Sequence, residues 1–311
     1  MAKKLGQGNV WDKAFLANHK GSFATRDRAF KTWVAVQEFS DRKKWDLKPE
    51  TITPKQVRIF IEERTTKVSA RSVQNEASHL RRAIEGAGKK VGNVRDPKNA
   101  FSSARLKVPG ASRIGGKAAA SPEHYAAARE KMDGDMKAGT GLIEPIGLRK
   151  KEMIMAEPSL KEWVRELNKT ESSERGCYIN VVYGTKGDRP RWVFIPADRV
   201  DKAIVAIAAA AASVKENGGF IIAGGTLKSA MDRYSNCMTK LGLVGDDSGH
   251  GLRRLFAHNQ YRHYRNAGLS EKDALRRLSM DLGHGDQRGR WVFNNYLSGG
   301  EGGAGASEGD D

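Results

Sequence analysis

His250 and Arg253 stand three positions apart in Gly249-His250-Gly251-Leu252-Arg253, so a helix through this stretch sets both on one face. A second histidine, His284, follows in Leu282-Gly283-His284, and Tyr296 closes the stretch in Phe293-Asn294-Asn295-Tyr296-Leu297. Imidazoles, a guanidinium and a phenol gathered late in a basic chain suit chemistry on a phosphodiester. The cation neutralises phosphate oxygens, the imidazoles hold or move protons, and the phenol attacks. Two earlier positions extend the set. Arg149, in Gly147-Leu148-Arg149, offers a rigid fork of donors, and Glu152, one turn on, can hold that guanidinium or a neighbouring cation in place. Lys186 lies on a glycine-flanked turn, Gly184-Thr185-Lys186-Gly187, from which a lysine can swing into a site. Each has a plain structural reading as well: a surface-helix arginine, a turn lysine, a histidine capping helix carbonyls. Order and spacing favour the chemical one.

The elements that must position these residues are mainly helical. Apolar periodicity predicts a helix over 23–39, with Phe30, Trp33, Val34 and Val36 apolar. Thr53-Pro54 reads as an N-cap with proline at the first helical position, opening a helix through Arg64, and Ser69 to Gly86 forms a further basic helix. Ser121-Pro122 starts a second group of elements with a capped helix running to about Met132. A short amphipathic helix over 159–168 is followed by a polar loop. Tyr178–Tyr183 and Arg191–Ile195 read as two strands of a hairpin with Lys186 at its tip. Helices over 198–217, 226–241, 250–266 and 270–282 complete the pattern. The expected fold class is mainly α with a small β-hairpin: an all-helical domain followed by an α+β domain. The expected divisions are 1–102 for the helical domain, 103–120 for a basic Gly/Ala/Ser-rich linker, 121–298 for the second domain, and 299–311 for a disordered acidic tail.

Charge supports a polyanionic partner. The chain of 311 residues has a formal net charge of +17, and strongly basic chains of this kind usually meet nucleic acid. Residues 1–117 hold 26 lysines and arginines against 11 acids, so almost all of the excess lies in the first third. There, Arg71, Arg81, Arg82, Lys89 and Lys90 are the candidates to line a phosphate backbone, where each neutralised phosphate releases counterions; the bland reading is a solvated helix face. Cys177 and Cys237 are far apart and lack metal-ligand spacing, which fits free thiols in a reducing compartment. No apolar run is long enough to span a membrane and no signal peptide is visible, so a cytoplasmic, nucleoid-associated protein is expected.

The ordered set Arg149, Lys186, His250-x-x-Arg253, His284 and Tyr296 resembles the tyrosine recombinases, the phage-type integrases, and Gly-Thr-Lys-Gly-Asp-Arg-Pro-Arg is similar to the hairpin of integrases from integrative elements. The resemblance covers most of the chain: about 20–100 as a core-binding, DNA-clamping domain and 121–297 as the catalytic domain. It departs from compact members at 157–176, which is longer and more helical. It implies a site-specific recombinase in which Tyr296 attacks the scissile phosphate and forms a 3′-phosphotyrosine. An ordinary phenol titrates at about 10, so His250 assists its deprotonation. Arg149 and Arg253 neutralise the non-bridging oxygens, His284 donates to the same phosphate, Lys186 protonates the departing 5′ oxygen, and Glu152 supports the arginines. The resemblance implies no metal and no cofactor, because the ester energy is kept in the adduct. It also implies double-stranded DNA sites as partners, a monomer that forms a tetramer on DNA, and accessory DNA-bending proteins as possible helpers. Two other readings stay open. One is a type IB topoisomerase or telomere resolvase, which shares the chemistry; His284 and the small two-domain size favour a recombinase. The other is a non-catalytic DNA-binding protein, against which the intact tyrosine and both arginines argue.

Overall fold

A computed structural model describes residues 14, 23–110 and 118–299. The chain divides into two compact units, 1–112 and 113–311, each with its own hydrophobic core. In the first unit α1 (Phe23–Lys43), α2 (Pro54–Thr65) and α3 (Ala70–Gly86) bury Trp33, Phe39, Phe60, Ile61, Leu80 and Ile84. Phe39 meets Phe60 edge-to-face with ring centroids 5.5 Å apart, an arrangement the ring quadrupoles favour. α2 starts at a reciprocal cap: Gln56 N–H donates to Thr53 Oγ1 (3.3 Å) and Thr53 N–H to Gln56 Oε1 (2.8 Å). The packed part of this unit runs past residue 102. Phe101 and Leu106 are buried in its core and Val108 packs against it, so residues 103–108 of the expected linker belong to the helical unit. The centre of that linker, 111–117, and the acidic tail from residue 300 on lie outside the described residues.

The second unit begins with α4 (Pro122–Glu130), capped by Ser121, whose Oγ accepts from His124 N–H (3.2 Å). α5 (Gly134–Ile146), which the sequence reading did not separate from the arginine turn after it, forms the centre of the unit. There α5 packs against α9 (Val200–Glu216) and α11 (Gly249–Asn266). Between them come α6 (Lys150–Ile154), α7 (Leu160–Leu167) and α8 (Thr170–Arg175); α8 occupies the stretch expected as a polar loop. β1 (Cys177–Val181) and β2 (Arg191–Ile195) form a two-stranded antiparallel sheet with Tyr178 opposite Phe194 and Val181 opposite Arg191. The Trp163 indole N–H donates to the Asn180 carbonyl (2.7 Å), pinning α7 to β1. α10 (Leu227–Lys240), α12 (Glu271–Asp281), α13 (Gly289–Val292) and a π-helical turn over Phe293–Leu297 complete the unit. The architecture is mainly α with one small sheet, as expected. Among the described residues no helix is long and apolar enough to cross a membrane.

Candidate active site

The site starts where α5 ends. Gly147 takes a left-handed φ of +68°, and a Cβ there would strike the Phe256 ring at 2.4 Å. Only glycine fits a turn that is both left-handed and this crowded. Arg149 then opens α6. Its backbone N–H donates to Glu152 Oε2 (2.8 Å), its Nη1 donates to Glu152 Oε1, and its Nη2 donates to the Leu282 carbonyl (2.8 Å). Arg253, on the first turns of α11, is wholly buried. It donates Nη1 to the Gly147 carbonyl, Nη2 to the Leu282 carbonyl (2.6 Å) and Nε to the Tyr296 hydroxyl at a long 3.4 Å. Two arginines more than a hundred residues apart thus converge on one carbonyl and one turn.

Glu152 has no exposed side-chain surface. Burial pushes its pKa up, but Arg191, Arg253 and Arg149 outweigh burial and hold it at about 2. One carboxylate against three guanidiniums leaves the site positive, ready for a phosphate.

His284 sits after Gly283, whose φ of +67° lets the chain turn so that His284 N–H reaches the Ser279 carbonyl (2.8 Å). Its ring lies against Trp291, centroids 4.5 Å apart, and its Nε2 is 3.3 Å from the Tyr296 hydroxyl. Burial, then the charges of Arg253, Arg149, Lys186 and Arg191, push its pKa down to about 3. The imidazole is therefore neutral at ordinary pH, with one nitrogen to donate and one to accept.

Tyr296 is 2% exposed and rides on the π-helical turn. Such wide turns recur at functional sites because they re-aim a side chain. His258, half-buried on α11, lies near the Tyr296 backbone. The exposed His250 has its ring centroid 5.5 Å from that of Tyr296. A cleft of about 490 Å³ opens at this point, lined in part by Arg149, Lys150, Ser235, His250 and Arg253. Lys186 is exposed in the turn between the strands, and its charge is felt at His284. Gly184, with φ of +73°, lies against α6 so closely that a Cβ would be 2.6 Å from the Lys151 carbonyl. The helix that presents Arg149 therefore also props the Lys186 loop. Among the described residues, no cluster of three or more His, Cys, Asp or Glu could hold a metal ion.

A family model described as Integrase matches residues 107–259. Among solved structures, a lambda integrase dimer bound to a COC′ core site aligns over 96% of this chain and 77% of that one, at TM-score 0.54 and 18% identity. A lambda integrase tetramer bound to a Holliday junction aligns over 94% and 78%, at 0.56 and 18%. The Tn1549 transposon integrase in complex with transposon right-end DNA aligns over 92% of both chains, at 0.50 and 14%. Residues 107–259 thus match the integrase family, and the fold is that of the phage-type integrases, the tyrosine recombinases. No curated protein matches the chain.

The match and the fold support a site-specific DNA recombinase, an integrase. The seven residues predicted from sequence for the chemistry, Glu152 included, lie in the second unit, and six converge on the Tyr296 hydroxyl and the Glu152 carboxylate; Lys186 stands at the edge on its loop. Sequence reading missed Arg191, which is buried at the start of β2 with its Nη2 on Glu152 Oε2 (2.8 Å). The five basic candidates in the helical unit divide. Arg81 is tied down, donating to the Phe101 carbonyl (2.9 Å) and Ser103 Oγ (3.2 Å), and Lys89 donates to the Ile52 carbonyl (2.8 Å). Arg81 thus holds the 101–103 turn onto α3, and Lys89 ties the segment after α3 to the one before α2. Arg71 bonds Gln74 Oε1 (2.7 Å) at the surface of α3, and Arg82 and Lys90 are exposed.

Proposed function

We propose that Tyr296 is the nucleophile of this integrase and that the arginine pair is its phosphate site. The observation that carries this is the Tyr296 hydroxyl within reach of both Arg253 Nε (3.4 Å) and His284 Nε2 (3.3 Å). A scissile phosphate docked on Arg149 and Arg253 meets the phenol oxygen directly. The phenoxide attacks phosphorus, the bond to the 5′ oxygen breaks, and a 3′-phosphotyrosine forms while Lys186 gives its proton to the departing oxygen. His250, beside the phenol, takes the phenol proton. The carbonyl and carboxylate contacts of Arg149 and Arg253 leave further guanidinium N–H groups for the charge that builds on the non-bridging oxygens. His284, neutral, donates a hydrogen bond to the same phosphate. A 5′-hydroxyl from a partner duplex then reverses the step, so no cofactor is consumed.

The partner is double-stranded DNA, gripped in part by the basic helical unit through Arg71, Arg82 and Lys90. Strand exchange between two duplexes needs four sites, which supports a tetramer assembled on DNA, with accessory DNA-bending proteins where the target needs them. Integration and excision of a mobile element in the nucleoid is the setting this chemistry fits. The test is covalent capture. Wild type and Tyr296→Phe are mixed with a pool of randomised nicked duplexes, denatured in detergent, and assayed for attached DNA. Wild type is expected to retain DNA and the variant none; equal retention, or none in either, would overturn the assignment.

A further inference from the structure

Arg191 has no place in the reaction as proposed, yet it is a buried cation at the heart of the site. Its side chain is 4% exposed, against 22% for Arg149. It reaches three points: Nη2 donates to Glu152 Oε2 (2.8 Å) and to the Gly147 carbonyl (3.1 Å), and Nη1 donates to the Asp281 carbonyl. Gly147 begins the turn that presents Arg149, and Asp281 precedes the turn that presents His284. The guanidinium therefore clamps the two catalytic turns together from behind. The clamp is tight: a Cβ on Gly283 would lie 2.6 Å from Arg191 Cδ.

Arg191 also competes with Arg253. Both donate to the Gly147 carbonyl, and both face Glu152 Oε2, but Arg253 Nη1 stands off at 3.6 Å while Arg191 bonds at 2.8 Å. A carboxylate oxygen relieved of Arg191 would draw Arg253 into a full ion pair, since a buried anion is costly without close donors. Arg253 would then be spent on Glu152 and turned from the phosphate.

We propose that Arg191 is a positioning residue for strand cleavage: by saturating Glu152 from behind it keeps Arg253 free for the scissile phosphate and fixes the spacing of the Arg149 and His284 turns. This rests on the assignment of Tyr296 and Arg253 above. The test uses full-length wild type, Arg191→Met and Arg191→Lys, a nicked duplex recovered by the capture experiment, and the same duplex with an uncharged methylphosphonate at the scissile position. Single-turnover adduct formation, DNA affinity and thermal melting are measured for each. With the natural phosphate, Arg191→Met is expected to lose about 10- to 100-fold in adduct rate, the range for residues that orient a primary ligand from behind, with DNA affinity kept. With methylphosphonate, which needs less help from Arg253, the gap to wild type is expected to narrow. Arg191→Lys, which keeps the charge but not the fork, should fall between. An equal loss on both substrates would reduce Arg191 to general support, and wild-type rates on both would remove it altogether. If Arg191→Met does not fold, Arg191→Lys decides on the same two substrates. Absence of adduct in wild type would instead count against Tyr296.

Discussion

The charge state of one imidazole decides what His284 can do. Its pKa of about 3 means that it is a neutral hydrogen-bonding group at working pH rather than a third cation. This has a signed consequence for stability. Below about 6.5, the ordinary histidine value, the unfolded chain binds a proton at His284 that the folded chain refuses until far lower pH, so stability falls as pH falls through that window. His284→Gln should lose less stability than wild type between about pH 7.5 and about pH 5, measured by chemical denaturation at each pH. An identical loss would mean that the folded ring takes up its proton normally. Arg149, His250, Arg253, His284 and Tyr296 were legible in sequence because each sits in a short motif whose chemistry can be read locally. Arg191 was not. In sequence it is one of several basic residues around the hairpin tip, and its burial depends on a carboxylate in α6 and a carbonyl at the end of α12, neither of which is near it in the chain.

Turns hold the elements of the proposed active site in register. Gly147 is the sharpest case, with its left-handed backbone and the Phe256 ring against its Cα. Gly147→Ala should destabilise the second unit by about 1–3 kcal/mol from backbone strain alone, with more from displacement of Phe256. Denaturant melting checks it; an unchanged midpoint would show that the α5–α6 corner can relax. The hairpin was readable because β-branched and aromatic residues flank a glycine-rich tip, and α2 because Thr53-Pro54 is a strong start signal. α5 was less readable. Its glycines and Pro145 disfavour a helix, but Gly139 is packed closely by the Met153 and Ile222 side chains, and tertiary packing overrides propensity. The boundary near residue 102 was misleading for a similar reason. Small polar residues look like linker, yet Leu106 is an anchor in an otherwise polar stretch.

Over the whole molecule the charge is split: 26 basic against 11 acidic residues in 1–117, out of a net +17. DNA affinity of the intact protein is expected to fall steeply with salt, and the slope of log affinity on log salt should become shallower when residues 1–112 are removed. The second unit has its own core, so the truncated protein is a fair comparison. Equal slopes would mean that the first unit contributes few phosphate contacts. A last consequence comes from the π-helical turn. It rests the phenol on Arg253 and His284 of the same copy of the chain. With Tyr296 as the proposed nucleophile, each copy would carry its tyrosine beside its own arginine, and withholding the tyrosine is not how this chain would keep its cuts in order. Discipline over which strand is cut, and when, would have to come from the presentation of the DNA to sites that each hold their own tyrosine.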